Sequence, residues 1–496
     1  MSADNKVVKY FKGLSRRQKI VWIVAAVLVV VMIAGGITAA VLLTMDEPEE
    51  VGGSGTHRYF YAIAPGNTSG FYINDDFTGG ADISEFEITA ESMSNGLNLS
   101  DDLRLSSPYA EQGMRAEYVV SRNGYEIALI EVLVTAIDEV ISDAAGLVSL
   151  DGRTGVYALG DDIDVSGLTS SIRRFSGTLY GNHHTLTGLR LPTGVFAELS
   201  LATVTGVEIE AGVSAAVGAG SYGALAARAV SSDISYCSVR GTFQLDISVD
   251  SIDDAVAAGG IAGYVSAGIR NAPYDVMKRI YRSETDLDMT VSSGGLVRIG
   301  SVAGVVLNAE IRDTFTFGTL RFGGSASYLS GLFIGGIAGI ADKNYGSSTP
   351  AGGSLDESGE VYSYTDIDAS VEGGSDLFAV ETGGVYGRIS EESLANTLYA
   401  GTLRLNAPAM RVYAGGITGR AVNETTLTLR IRGVTVTGSV TVYTLADAFA
   451  GGVAGVFDEG DPIEYSSVFA SVTPVIETDT ASVTGIQKVS DGVGNR

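Results

Sequence analysis

Gly259-Gly260-Ile261-Ala262-Gly263 recurs down the chain with small changes. It returns as Gly300-Ser301-Val302-Ala303-Gly304, Gly335-Gly336-Ile337-Ala338-Gly339 and Gly383-Gly384-Val385-Tyr386-Gly387. Two more copies stand at Gly415-Gly416-Ile417-Thr418-Gly419 and Gly451-Gly452-Val453-Ala454-Gly455. Gly223-Ala224-Leu225-Ala226-Ala227 is a degenerate copy that keeps the aliphatic centre. Steps between the central aliphatic residues are 36, 41, 35, 48, 32 and 36 residues. A fixed motif with elastic spacing marks a stacked repeat in which one element stays constant while the loops vary.

Read as a strand, the motif sends alternate residues to opposite faces. One parity carries Gly, Ile or Val, Gly, and is expected inward, each aliphatic side chain stacked on its counterpart in the next coil. The other carries Ala303, Tyr386 or Thr418, with Arg388 and Arg420 next in line, and is expected to face water. Flanking glycines weaken a strand but let neighbouring backbone come close. Between the copies lie further alternating runs, such as Phe243-Gln244-Leu245-Asp246-Ile247, Leu287-Asp288-Met289-Thr290-Val291 and Ile367-Asp368-Ala369-Ser370-Val371. Apolar-in, polar-out alternation argues for strands with one wet face. Each repeat therefore reads as one coil of a β-helix. Eight or nine such coils at ~4.8 Å each give a helix of roughly 40 Å.

Composition agrees with this reading. Glycine is 65 of 496 residues with only 9 prolines and no Gly-X-Y period, which excludes collagen. Hydrophobic residues at 45% suffice for a packed core and are too many for a disordered chain.

Residues 1–19 form a short basic tail with Lys6, Lys9, Lys12, Arg16, Arg17 and Lys19 against Asp4. Ile20 to Leu43 then runs for 24 residues without a charge, enough to cross a bilayer. Asp46, Glu47, Glu49 and Glu50 follow, so the positive flank places the N-terminus in the cytoplasm and the bulk of the chain outside. A cleaved signal peptide is the rival reading. Its apolar core is usually shorter, about 7–15 residues, which favours an uncleaved anchor over 20–44. The basic tail holds 6 of 32 basic groups and 1 of 58 acidic ones, leaving 26 against 57 and a net −31 beyond it. Such an exported part repels nucleic acid, which is excluded as a partner.

Residues 45–56 are an acidic linker, and 57–145 read as a small β-rich, sandwich-like domain. Asn123-Gly124 lies between two alternating runs there, a two-residue hairpin signal. The repeat domain is placed at 146–487, with a tail at 488–496.

Three segments at the start of the repeat domain carry a family resemblance. Gly155-Val156-Tyr157-Ala158-Leu159-Gly160-Asp161-Asp162-Ile163-Asp164-Val165 is followed by Phe175-Ser176-Gly177-Thr178-Leu179-Tyr180-Gly181-Asn182-His183-His184-Thr185-Leu186 and by Gly194-Val195-Phe196-Ala197. Together with the later Gly-Gly-Ile-Ala-Gly copies, they resemble bacterial surface proteins with GLUG-type repeats, over roughly 150 to 487. The resemblance implies a right-handed parallel β-helix of the pectin-lyase-like kind. Tyr180 stands where that pattern has Asp and His183 where it has Gly; histidine tolerates positive φ, so the turn is expected to survive. The fold class is thus all-β: a right-handed parallel β-helix preceded by a small β-rich domain and one N-terminal transmembrane helix.

Candidate chemistry is thin, and no catalytic, cofactor-binding or metal-ligating residue is assigned. His57 is placed in the linker. His183 and His184 are adjacent, so in a strand they point to opposite faces, one packed and one solvated. Cys237, the sole cysteine, shares a parity with Phe243 and Leu245 and reads as an inward, inert thiol. Asp161, Asp162 and Asp164, and Asp458-Glu459-Gly460-Asp461, are acidic clusters of a kind that could ligate a structural Ca²⁺. Neither fits an EF-hand loop, and solvated turns are the simpler reading.

Lyases and hydrolases of this fold family need converging carboxylates or Ca²⁺ with a basic group, and Arg388 and Arg420 on the outward parity are the one hint of that. The only tryptophan, Trp22, lies in the expected span, so the exported part lacks tryptophan platforms for sugars. The expected function is therefore a membrane-anchored surface protein acting as an adhesin, matrix-binding or structural module. Its expected partners are a surface or matrix glycan or protein, or other copies of itself. Alternatives are a polysaccharide lyase or hydrolase on the same fold, and a passive stalk. A charged, aromatic-lined groove would favour the enzyme; a flat face of Ser, Thr and Gly would favour adhesion.

Overall fold

The computed structural model describes residues 57–457, apart from 74–77, 79–80, 93–95, 268–278, 326–328, 344–356, 373–377, 391–392, 423–430 and 445–447, together with the strand Val475–Glu477. The expected anchor, linker and C-terminal tail lie outside these residues. Among the described residues, no helix is long and apolar enough to cross a membrane.

Strands make up 61% of the structure, and most pair in parallel. Each coil visits a seven-stranded sheet, then an eight-stranded sheet, then two successive columns of a 21-stranded sheet. One coil illustrates the path: Ala255–Gly259, Ala262–Ser266, Arg279–Tyr281 and Glu284–Ser292. Pairing is always with the coil above or below, as in Ala255–Gly259 with Leu296–Gly300 and Ala262–Ser266 with Ala303–Leu307. The chain is an all-β parallel solenoid, and its single long core runs from Ile141 to Val453.

The repeated motif is not one strand, as the sequence suggested, but the corner between two. Gly259 ends a strand of the seven-stranded sheet and Ala262 starts one of the eight-stranded sheet, leaving Gly260 and Ile261 to turn the chain. The aliphatic residue does stack inward as expected. Its backbone continues the ladder through the corner: Leu225 N–H donates to Ile261 O, Ile261 to Val302, Val302 to Ile337, Ile337 to Val385, Val385 to Ile417 and Ile417 to Val453, at 2.8–3.1 Å. The outward assignment of the next residue is wrong. Ala303, Tyr386 and Thr418 are all buried, because a bent corner places consecutive residues inside. The Thr418 hydroxyl satisfies itself on Arg420 O at 3.0 Å.

Each glycine of the motif has its own reason, and none involves positive φ. A Cβ on Gly259 would sit 2.6 Å from Ala303 Cα in the next coil. A Cβ on Gly263 would sit 2.8 Å from Ala257 O, where the two smaller sheets nearly touch. The middle glycine faces an inward column of the large sheet: Gly260 faces Thr285 and Leu287, Gly336 faces Ser363, Gly384 faces Tyr399 and Gly416 faces Val436. Thr285, Thr316, Ser363, Tyr399 and Val436 are successive rungs of that column. Ser301 is the exception among the six full copies. Its hydroxyl lies 3.3 Å from that of Thr365, which in turn donates to Thr316 at 2.9 Å.

A second corner, within the large sheet, is built on left-handed residues. Gly206, Tyr236, Arg282, Asp313, Glu360, Asn396 and Gly433 occupy the same place in successive coils, all with φ between 48° and 68°. Five of the seven carry side chains, at a cost of about 1–2 kcal/mol each relative to a right-handed conformation. Stacked neighbours must hold them there.

Residues 57–134 have a separate core. A four-stranded sheet places His57–Ile63 beside Tyr125–Val134, then Arg115–Arg122 and Glu87–Ser92, and a three-stranded antiparallel sheet covers it. Asn123 and Gly124 make the hairpin turn with φ of 55° and 80°. His57 is the first residue of a strand, not part of a linker. Glu139–Ile141 already pairs with Val156–Leu159 of the solenoid. The helix Ala144–Val148, N-capped by Asp143, tucks Leu147 under the first coil.

Candidate functional site

The sharp corner folds inward, so the outer faces of the two smaller sheets confront each other along a seam. In the seven-stranded sheet the seam column runs Ala257, Arg298, Phe333, Glu381, Tyr413, Phe449. In the eight-stranded sheet it runs Arg228, Tyr264, Val305, Ile340, Arg388, Arg420, Val456. Ala257, Val305 and Phe333 are buried yet belong to neither core, which is what two facing sheets produce.

Glu381 anchors the seam. Arg388 donates to it through Nε at 2.6 Å and through Nη2, a bidentate pair, and Arg420 Nη1 lies 3.6 Å from the same carboxylate. The Glu381 side chain is 1% exposed while the Arg388 and Arg420 side chains are 29% and 30% exposed. Breaking a buried pair by removing one partner typically costs about 3–5 kcal/mol, because a bare charge is left behind. The cations also stack on rings: Arg388 over Phe333 at 4.7 Å, Arg420 over Tyr413 at 5.5 Å and Arg228 over Tyr264 at 5.1 Å. Tyr413 and Phe449 stack on one another at 5.3 Å.

Arg298 has no carboxylate partner among the described residues. Burial holds its pKa below the ordinary arginine value, and the charge of Arg388 adds to the effect. The two seam columns thus carry four arginines, Arg228, Arg298, Arg388 and Arg420, and one carboxylate, Glu381, on a strongly acidic chain.

Arg388 and Arg420 were singled out in the sequence, and the structure puts them on adjacent rungs. Tyr386 does not share their exterior face; it is buried in the core. Glu381, Arg298, Phe333 and Tyr413 were missed. Each stands two residues before the first glycine of its motif copy, as the two arginines stand five after it. That common offset was the available signal.

The outer face of the large sheet is different in kind. Its columns read Thr242, Asp288, Thr319, Asp366, Thr402, Ser439 and, beside them, Gln244, Thr290, Arg321, Asp368, Arg404, Thr441. A depression of about 490 Å³ at one end is lined by Glu210, Ala211, Arg240, Gly241, Asp286 and Asp288, with Arg240 held on Glu210 at 2.8 Å.

The remaining candidates have structural employment. His183, at φ 60°, keeps the turn its position requires. It is buried, and its Nε2 accepts the Phe60 N–H at 3.1 Å while Nδ1 meets Glu208 at 3.2 Å. Its neighbour Asn182 exchanges hydrogen bonds with Ala62 at 2.9 and 3.2 Å. These residues dock the N-terminal unit onto the solenoid. Arg282 completes the joint, paired with Glu131 and, at 3.2 Å, with Asp313, while the Tyr236 hydroxyl donates to Glu131 at 2.9 Å.

His184 is half-buried beside Asp162 at 3.5 Å. Asp162 also accepts the Thr185 N–H and Asp164 the Ser166 N–H, both at 2.8 Å, so these carboxylates cap turns. Cys237 is buried, which pushes its thiol up to about 12. Among the described residues no group of three or more His, Cys, Asp or Glu is arranged to hold a metal ion. The acidic run at 458–461 lies outside the described residues.

Comparison of the chain with protein-family models and with curated proteins gives no match in either case.

Proposed function

We propose that this chain is a surface-display solenoid: anchored through residues 20–44, exported beyond them, and working as an adhesive, matrix-binding or structural module. A right-handed parallel β-helix is the form we assign to the stacked coils, in keeping with the hand that parallel crossovers favour. The observation that carries the reading is the state of the one seam carboxylate. A glycosidase needs two carboxyl groups flanking the scissile bond, one to give a proton and one to attack or to activate water. Glu381 is buried under two arginines and committed to both. Meanwhile the broad outer face of the large sheet offers columns of threonine, serine and aspartate, interrupted by Gln244, Arg321 and Arg404, in register from coil to coil, a surface suited to many weak contacts.

A polysaccharide-active enzyme is the second reading, and the arginine- and tyrosine-lined seam is the observation in its favour. The two separate cleanly by experiment. Full-length protein incubated with pectate, alginate or neutral glycans, with and without Ca²⁺, is expected to yield no unsaturated product and no new reducing ends. It is expected to retain cells or beads on a matrix-coated surface. Robust turnover abolished by Glu381→Gln or Arg388→Ala would reverse the assignment. Protease added to intact cells is expected to remove residues 57–496; their protection would overturn the exported topology.

A further inference from the structure

We infer that Arg298 holds the carboxylate of an acidic sugar, one charged unit of an otherwise neutral glycan, in the seam between the two smaller sheets. This rests on the matrix-binding branch of the proposed function and names its ligand class. The isolation of the Arg298 guanidinium carries the inference. Arg298 and Val305 hold the places in their coil that Glu381 and Arg388 hold two coils further on. Where the later coil has a bidentate ion pair, this one sets an arginine against a buried valine. Among the described residues Arg298 makes no hydrogen bond and no ion pair. Its nitrogens are not among the sealed, unpartnered polar atoms either, so the half-buried group opens to solvent.

The surroundings suit a sugar acid. A guanidinium fork donates two parallel hydrogen bonds to a carboxylate. Tyr264, one coil earlier on the facing sheet, lies close to Arg298, and its hydroxyl makes no hydrogen bond among the described residues. Leu296 and Leu307, two residues further from the corner on each strand, are half-buried and share the outward parity of Arg298 and Val305. The site thus pairs a cation with a free hydroxyl and an apolar rim. An acidic sugar has the matching outline: one carboxylate, ring hydroxyls and an apolar C–H face.

Charge and topology narrow the ligand. The chain carries a net −26, which repels a polymer charged at every unit. A single carboxylate meets that repulsion once, and its contact with Arg298 falls well inside the ~8 Å screening length. An extended peptide finds no edge here, because Leu296–Gly300 and Ala303–Leu307 are each paired on both sides by neighbouring coils.

Full-length protein in detergent micelles is titrated with methyl glucuronide, methyl glucoside and acetate, followed by ligand-observed NMR. We expect saturable binding of the glucuronide, at least tenfold tighter than that of the glucoside or of acetate. Arg298→Gln should remove this tenfold preference and leave the melting temperature equal or higher, since it deletes an unpaired charge and no internal bond. Arg298→Lys should keep part of the preference. Tyr264→Phe, expected to weaken the glucuronide several-fold, serves if Arg298→Gln does not fold. No saturable binding, a glucoside bound as well as the glucuronide, or acetate bound as tightly would overturn the inference. So would glucuronide binding indifferent to Arg298→Gln, a melting temperature lowered by that change, or a preference, per carboxylate, for polygalacturonate. Matrix attachment is scored in parallel: its survival where glucuronide binding fails sinks only this inference, and its absence from the wild type sinks the adhesive reading as well.

Discussion

Gly384 lies against the ring of Tyr399 across the interior of a single coil, so closely that a Cβ on Gly384 would enter the ring. Overpacking of this kind typically costs about 1–3 kcal/mol. Gly384→Ala should therefore lower the melting temperature markedly, and should cost less in a Tyr399→Val background. A double-mutant cycle on thermal unfolding measures the coupling. Equal cost in both backgrounds would show that the glycine serves only the backbone of the next coil.

The stacked aliphatic column and the residue after it are both interior. Ile337→Asp and Thr418→Asp should each cost several kcal/mol, since both bury a carboxylate without a partner. Arg404→Ala, on the exposed outer face, should fall within about 0.5 kcal/mol of the parent. Chemical denaturation gives all three values. A mild Thr418→Asp would restore the outward assignment that the bent corner argues against.

The joint between the N-terminal unit and the solenoid rests on few groups. His183→Ala leaves the Phe60 N–H without its acceptor, a loss of about 1–3 kcal/mol if the site stays dry. Arg282→Ala removes the pair with Glu131 and Asp313. Both should speed limited proteolysis at 135–138, between the two cores, while leaving the main unfolding transition of the solenoid nearly in place. Unchanged cleavage in both variants would mean that the docking depends on other contacts.

Cys237 titrates late because it is buried, its thiol raised from 9.0 to about 12. A raised folded pKa means that the associated stability is fully present below about pH 9 and is lost as pH climbs through about 12. Tyr362, also pushed up to about 12 by burial, acts in the same direction. Native protein should resist a thiol reagent at pH 8 and react at once in denaturant, and its stability should fall steadily above pH 9. Native labelling at the rate of a free thiol would contradict the packing of that corner.

The repeat, its spacing, the inward aliphatic centre and the alternating strands between copies were all determined by local sequence, because period and turn chemistry are written residue by residue. Ile261, Val302, Ile337, Val385 and Ile417 stack as their pattern required. Whether a glycine-rich run is a strand or a corner depends on which backbone lies opposite, and that information is not local. Thr418 and Tyr386 were placed outside for this reason, and the tertiary structure placed them within. The seam shows the same division. Arg388 and Arg420 were visible as charges on a shared offset, but their carboxylate, Glu381, comes from a different sheet. Only the folding of two sheets against each other, permitted by glycines that let backbones touch, decided that these side chains meet, since a shared offset from the glycines does not say how sharply the corner between the sheets bends.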